Sequence, residues 1–232
     1  MEDTHTWKDS FTGKPNWGYF GVYDGHGGKQ VAEFVQDNLH VIFEEKLSSI
    51  EDKEEAFRAA FKETDEKIGE AEIKFSGTTV ISALLYEEEG VKKICTANAG
   101  DARAVLARNG KGVRLSFDHK ANDPDEIARI KEAGGFVVMN RVNGILAVAR
   151  ALGDLTMKDF VSGEPYTKII DVTDEDTHLI LACDGIWDVI EDDKSVEIVT
   201  QAENATKAAT ELLKAALRAG STDNISVMVI KL

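Results

Sequence analysis

The stretch TTVISALLYEEEGVKKICTANAGDARAVLAR, residues 78–108, decides the fold of this 232-residue chain. It contains three runs rich in Val, Ile, Thr, Leu and Ala, at residues 78–86, 92–99 and 102–108, with short turn sequences between them. Runs of this length and composition, so closely spaced, predict consecutive antiparallel strands. The Asn109-Gly110 pair that follows is a strong signal for a two-residue hairpin turn.

On both sides of this stretch, helical and strand patterns occur in blocks. Apolar residues recur at helical spacing in some segments, and short β-branched runs bounded by turn residues mark others. The predicted helices are residues 29–47, 52–72, a short one from near Pro124 to just before Gly134, 192–201 and 204–219. The other predicted strands are residues 17–23, 135–140, 144–148, 168–172, 178–184 and 225–231. Residues 153–166 lack a regular pattern and are predicted to form a loop or flap.

The order of these elements favours an α+β domain. Hairpin turns connect several strands, which fits antiparallel sheets better than the βαβ alternation of a parallel sheet. The sequence contains neither an internal repeat nor a linker. Residues 1–232 are therefore predicted to form a single domain.

The charge balance excludes two classes of partner. The chain has 42 Asp and Glu against 27 Lys and Arg, and its formal net charge is −15. Binding to nucleic acid backbones or anionic membranes needs positive surface, so neither is expected. No apolar run approaches the length of a membrane span or resembles a signal peptide, so we expect no membrane insertion. We expect a monomer that works in the cytoplasm, with the nucleus as the alternative.

The two cysteines, Cys95 and Cys183, lie in apolar runs. We predict that both are buried and reduced, and that no zinc site is built on them, because no histidine pair accompanies them.

Three carboxylates are more informative than the rest. Asp24 and Asp184 follow apolar runs and precede glycine, and Asp223 precedes the last strand. An ionised carboxylate beside a buried strand is costly unless it is paired, and few basic residues are adjacent in sequence. A divalent cation such as Mg²⁺, Mn²⁺ or Ca²⁺ is the natural partner for oxygen ligands. A single Asp-Gly pair is more often only a turn, and Asp223 could be an Asx cap, so this alternative stays open.

His26 is two residues after Asp24, where a proton donor beside a reacting centre would have to lie. A lone histidine is more often structural. The patterns of EF-hand, Walker and dinucleotide-binding loops are absent.

Eight short motifs, taken together, resemble the type 2C metal-dependent serine/threonine protein phosphatases. In chain order they are Met1-Glu2-Asp3, Tyr23-Asp24-Gly25-His26-Gly27-Gly28, Ser76-Gly77-Thr78-Thr79, Ala97-Asn98-Ala99-Gly100-Asp101-Ala102-Arg103, Asp118-His119-Lys120, Arg150-Ala151-Leu152-Gly153-Asp154, Ala182-Cys183-Asp184-Gly185-Ile186-Trp187-Asp188 and Ser221-Thr222-Asp223-Asn224-Ile225-Ser226. The resemblance spans essentially the whole chain, and several ordered motifs are far more specific than any one of them.

The resemblance implies a fold and an activity. The fold is a four-layer αββα sandwich, with two antiparallel sheets flanked by helices. The activity is hydrolysis of phosphoserine and phosphothreonine in proteins by a water that two Mn²⁺ or Mg²⁺ ions activate. Phosphorylated proteins would be the substrates.

The resemblance also assigns roles to residues of this chain. Asp24 would bridge two ions, and the backbone carbonyl of Gly25 would bind one of them. His26 would be the general acid. The other implied metal residues are Asp184 and Asp223 as ligands, Asp101 together with Asp184 for a third and weaker ion, and Glu2 and Asp3 as holders of metal-bound waters.

One departure from the family pattern matters. The family places a phosphate-binding arginine three residues before Met-Glu-Asp, and this sequence starts at Met1. We therefore expect the domain to be N-terminally short, to lack the family's first strand and to bind phosphate more weakly. Two other functions follow as alternatives: a catalytically weakened phosphatase-like binding module, and a hydrolase of another phosphoester or a protein with only a structural divalent site. The substrate-binding residues are unknown from the sequence.

Overall fold

Two antiparallel sheets pack face to face, and helices cover the outer side of each. The computed structural model describes residues 1–232. The strands are β1 (Thr4–Asp9), β2 (Gly18–His26), β3 (Gly77–Glu88), β4 (Val91–Ala99), β5 (Arg103–Arg108), β6 (Lys111–Arg114), β7 (Val137–Val138), β8 (Arg141–Val142), β9 (Leu152–Gly153), β10 (Tyr166–Asp171), β11 (Asp176–Ala182) and β12 (Val227–Lys231). The helices are α1 (Gln30–Leu47), α2 (Lys53–Glu70), α3 (Pro124–Glu132), α4 (Asp184–Trp187), α5 (Asp192–Thr200) and α6 (Ala205–Arg218).

The strand order shows how the chain passes between the sheets. The first sheet has the order β1-β2-β3-β4-β10, with β9 paired to the start of β3. The second sheet has the order β12-β11-β5-β6, and β7 and β8 form a separate ribbon. The short β4–β5 connection therefore carries the chain from one sheet to the other.

Three apolar clusters fill the spaces between the layers. Helices α1 and α2 pack on the first sheet, where the rings of Phe43 and Phe57 stack at 3.8 Å. Residues such as Val22 and Leu181 fill the space between the two sheets. Helices α5 and α6 cover the second sheet through residues such as Leu212. The predicted four-layer αββα sandwich is confirmed.

Most predicted elements are confirmed to within a few residues, and their local signals act as expected. Asp52 and Asn204 are the N-caps of α2 and α6, and each side chain accepts a hydrogen bond from a backbone N–H of the first turn. Asn109 and Gly110 have φ values of 50° and 71° between β5 and β6. Two consecutive positive φ values are the signature of a type I′ hairpin turn.

Several predictions of strands were wrong. The strand predicted at 17–23 continues through Asp24 and Gly25 to His26, because this segment pairs with the start of β3. Strand β1 was missed. The strand predicted at 144–148 is absent, and only β7 forms within 135–140. The strand predicted at 178–184 ends at Ala182, and Asp184 begins α4.

The predicted loop at 153–166 is largely irregular, but it contains a short 3-10 turn and the end of β9. None of the helices combines the length and the apolar character that crossing a bilayer requires.

Candidate active site

The ends of β2 and β11 bring the predicted carboxylates together. Asp24 lies in the last part of β2, opposite Thr79 of β3, and Asp184 follows the end of β11. The two sheets face each other here, so both side chains meet between them. A carboxylate oxygen of Asp24, one of Asp184 and the Cys183 sulfur all lie within 4.8 Å of one another.

The two Asp-Gly pairs are not simple turns. Neither Gly25 nor Gly185 has a positive φ. A Cβ on Gly25 would lie 2.5 Å from the carbonyl oxygen of Glu2, and a Cβ on Gly185 would lie 2.1 Å from that of Asn224. Both glycines are needed because another backbone segment passes directly over them. The turn interpretation of these two pairs was therefore wrong.

These close approaches bind the N-terminal segment into the site. The backbone N–H of Glu2 donates a hydrogen bond of 2.9 Å to Oδ1 of Asn224, next to Asp223. Both carboxylate oxygens of Asp3 are buried and lack a hydrogen-bond partner. Burial raises the pKa of Asp3 above its ordinary value. A buried carboxylate without a partner indicates that a cation or its water belongs beside it.

Burial and mutual repulsion raise the pKa values of the clustered carboxylates. Burial, followed by the charge of Asp184, raises the pKa of Asp24 to about 9, and the charges of Asp3, Asp101 and Asp223 add to the effect. Burial, followed by the charge of Asp101, raises the pKa of Asp184 to about 7. Neither residue forms an ion pair with a Lys or Arg, and nor does Asp223. Carboxylate and carbonyl oxygens are the donors that Mg²⁺ and Mn²⁺ prefer, so the residues present fit such ions.

Asp101 has a different environment. It is buried in the β4–β5 connection, and its Oδ2 lies 3.4 Å from the Nζ of Lys120. The same ammonium group lies 3.0 Å from Oδ1 of Asp188. Burial raises the pKa of Asp101, and the charge of Lys120 opposes the rise. Lys120 thus supplies part of the positive charge here, a contact that sequence reasoning missed.

Cys183 is close to the carboxylates but is a poor metal ligand. Its sulfur accepts a hydrogen bond from the Ser226 N–H at 3.1 Å and lies 3.4 Å from the carbonyl oxygen of Asn224. Burial and the negative charge of Asp3 raise the pKa of the thiol, which keeps it protonated. Cys183 and Cys95 are both free and buried, which confirms the prediction of two buried thiols outside any disulfide.

His26, at the end of β2, contacts a residue that the sequence did not assign. Its Nε2 lies 2.7 Å from Oδ2 of Asp154, which is 128 positions away in the chain. Asp154 is only 7% exposed. It belongs to the Arg150–Asp154 motif, which supported the family resemblance but carried no role. No local pattern could have paired these two residues, and that motif was the only signal.

Comparisons with known proteins point to one family. The family model described as "Protein phosphatase 2C" matches residues 1–225. Protein phosphatase 2C homolog 1 of Saccharomyces cerevisiae is 40% identical over 245 residues, covering 99% of this chain and 87% of that protein. Protein phosphatase 2C homolog 1 of Schizosaccharomyces pombe is 40% identical over 238 residues, covering 100% of this chain and 69% of that protein.

Solved structures show the same fold. A sex determining protein of C. elegans superposes with a TM-score of 0.89 at 26% identity, covering 99% of this chain and 61% of that one. A serine-threonine phosphatase 2C from Toxoplasma gondii superposes with a TM-score of 0.84, covering 99% of this chain and 90% of that one. Its sequence identity is 22%, so this likeness concerns the fold alone.

Proposed function

The chain belongs to the protein phosphatase 2C family, and from that premise we propose that its carboxylate cluster binds two Mn²⁺ or Mg²⁺ ions to hydrolyse phosphoserine and phosphothreonine in proteins. Members of this family are metal-dependent serine/threonine protein phosphatases, and this chain is one of them. The identity of the ions, their number and the residues that hold them belong to the proposal.

One observation carries the proposal: several carboxylates converge, and Asp24, Asp184 and Asp223 form no ion pair with a Lys or Arg, although the charge of Lys120 partly opposes the rise in the pKa of Asp184. These three side chains and the backbone carbonyl of Gly25 would hold the ions directly. Glu2 and Asp3 would hold them through water, since the orphaned oxygens of Asp3 need a donor. Divalent ions bound here would lower the pKa of a water molecule and offset the negative charge of the phosphate.

The chain itself supplies the remaining chemistry. Asp24 and Asp184 come from facing sheets, so the stacked strands hold them in a fixed relation before the substrate binds. His26 would protonate the serine or threonine oxygen as it leaves phosphorus. Both cysteines are buried with raised thiol pKa values, which agrees with direct attack by water rather than a cysteinyl-phosphate.

Asp101 is proposed to take part in a third and weaker site with Asp184. Its contact with Lys120 supports the weakness of that site, because an ion would have to compete with the ammonium group. Cytoplasmic location and the monomeric state stay predictions.

The test is phosphate release from a phosphothreonine peptide in the presence of Mn²⁺, by wild type and by Asp24→Ala. We expect turnover that a chelator abolishes and that Asp24→Ala reduces by at least about a hundredfold. The matched control is Asp159→Asn, an exposed acidic residue without an ion pair, which should keep wild-type turnover. Turnover that survives chelation or Asp24→Ala would contradict the proposal.

A substrate comparison separates the other candidate functions. We expect phosphopeptides and aryl phosphate monoesters to be hydrolysed, and phosphodiesters to be inert. Preference for diesters would indicate another phosphoesterase. Metal binding without any turnover would indicate a binding module, an alternative that neither yeast relative's name favours.

A further inference from the structure

We propose that Asp154 is a positioning residue for His26: it fixes the hydrogen on Nε2 and thereby leaves Nδ1 to donate the proton to the departing oxygen. This inference rests on the proposed function, in which His26 is the general acid.

The contact between the two side chains is short and sheltered. Nε2 of His26 lies 2.7 Å from Oδ2 of Asp154, and the two side chains are 25% and 9% exposed. An ionised carboxylate can only accept hydrogen bonds, so Nε2 must carry a hydrogen. No other protein group hydrogen-bonds to the His26 ring, so Nδ1 stays available to the substrate. The partner of one ring nitrogen thus determines which nitrogen exchanges a proton.

The backbone around Asp154 is held in an unusual conformation that aims this carboxylate. Asp154 has φ 49° and ψ 43°, a left-handed conformation that few residues other than glycine adopt. Its N–H donates to the carbonyl oxygen of Ser76 at 3.0 Å. The preceding Gly153 has φ 82°, and its N–H donates to Oδ1 of Asp65 at 2.8 Å. Strained backbone that is held by several contacts is a feature of functional positions.

Gly77 provides the space in which the two side chains meet. It lies opposite both His26 in β2 and Gly153 in β9. A Cβ on Gly77 would lie 2.2 Å from Oδ2 of Asp154 and 2.5 Å from Nε2 of His26. Any larger residue would separate the pair. The paired strands therefore bring Asp154 and His26 together at one open position.

The proton balance follows from this arrangement. As the oxygen of water bonds to phosphorus, that water releases one proton to solvent, the bond from phosphorus to the serine or threonine oxygen breaks, and Nδ1–H passes its proton to that oxygen. The ring becomes neutral, with its remaining hydrogen on Nε2 still bonded to the ionised Asp154. Solvent then returns a proton to Nδ1, and no other co-reactant is needed.

The test uses the full chain with Asp154→Asn, because Asn keeps the side-chain volume and tolerates the left-handed conformation. Its amide lacks the charge and can donate to Nε2, which removes the constraint on the ring. We expect kcat to fall about 10- to 100-fold on a phosphothreonine peptide, and less than about threefold on p-nitrophenyl phosphate, whose leaving group needs little protonation. Asp154→Gly also suits this backbone conformation, and it should likewise lower kcat much more on the phosphopeptide than on p-nitrophenyl phosphate.

A double-mutant cycle separates positioning from a structural role. In the His26→Gln background, Asp154→Asn should cause no further loss of kcat, since the ring that it orients is gone. Equal losses on both substrates, or a loss that adds to that of His26→Gln, would overturn the inference while leaving the phosphatase function intact. A wild type without phosphopeptide turnover would refute the proposed function instead.

A spectroscopic readout is independent of turnover. NMR of ¹⁵N-histidine should show the neutral His26 ring with its hydrogen on Nε2 in wild type, and a mixture of tautomers in Asp154→Asn. Asp159→Asn, in the same segment, should resemble wild type in both rate and spectrum. A wild-type ring with its hydrogen on Nδ1 alone would overturn the inference.

Discussion

Replacing Asp24 with asparagine should stabilise the metal-free protein. The folded state raises the pKa of Asp24 from 3.8 to about 9, mainly by burial and then by the charge of Asp184. Between these two values the folded chain retains a proton that the unfolded chain releases, so stability falls as the pH rises. Asparagine has the shape of the protonated acid and carries no such cost. The stabilising effect of Asp24→Asn should therefore grow with pH.

The magnitude follows from the shift. A pH of 7 is about 3 units above the unfolded-state pKa of 3.8. At 1.36 kcal/mol per unit, keeping Asp24 protonated in the folded state therefore costs about 4 kcal/mol of stability. At pH 5 the same calculation leaves about 1 unit, or between about 1 and 2 kcal/mol. We expect the gain in the free energy of unfolding to approach these values and to be clearly larger at pH 7 than at pH 5.

The assay is urea denaturation in EDTA at both pH values, for wild type, Asp24→Asn and the control Asp159→Asn. The control should stay within about 0.5 kcal/mol of wild type, because its side chain is exposed and without an ion pair. With excess Mn²⁺, wild type should become more stable than Asp24→Asn, since wild type gains more binding energy from the ions. A metal-free Asp24→Asn that is no more stable than wild type, or whose gain is the same at both pH values, would refute the reasoning.

Two other predictions follow from the same geometry. Gly185→Ala should lower the free energy of unfolding by about 1–3 kcal/mol in urea titrations, because its Cβ would lie 2.1 Å from the Asn224 carbonyl oxygen. As a control, Gly69→Ala in helix α2 should raise the free energy of unfolding by about 0.5–1 kcal/mol. A neutral or stabilising Gly185→Ala would contradict the backbone contact. Mn²⁺ affinity measured by calorimetry should rise at least about tenfold from pH 6 to pH 8, as Asp24 and Asp184 lose protons with pKa values of about 9 and 7. An affinity independent of pH would contradict the raised pKa values.

Local patterns predicted most of the fold, and they failed where tertiary contacts decide the structure. Helices α1, α2, α5 and α6 have apolar faces at regular spacing, and the central strands are rich in β-branched residues. Strand β1 buries only Thr6, so its sequence lacks the alternation that would reveal it. Residues 144–148 are apolar but form only isolated bridges, from Leu146 to Val142 and from Val148 to Lys120. Strand β2 extends past its apolar run since β3 supplies backbone partners.

In the candidate site, too, the sequence reveals some residues and leaves others to tertiary contacts. Asp24, Asp184 and Asp223 could be found from their positions beside strands, because ionised groups there need a partner. The roles of Asp3 and Asp101 were predicted from the family resemblance alone. The Asp154 contact with His26 joins residues 128 positions apart, and the Lys120 contact with Asp101 likewise depends on how the loops fold. No residue spacing encodes such contacts.

The most direct test of the account counts the Mn²⁺ ions that the chain binds, using the EPR signal of the free ion at equilibrium near pH 7.5. We expect wild type to bind two ions tightly, and Asp24→Asn to lose at least one of them, while Asp159→Asn retains both. Wild type that leaves all Mn²⁺ free, or an Asp24→Asn variant that binds as wild type does, would contradict the assignment of the carboxylate cluster as a metal site.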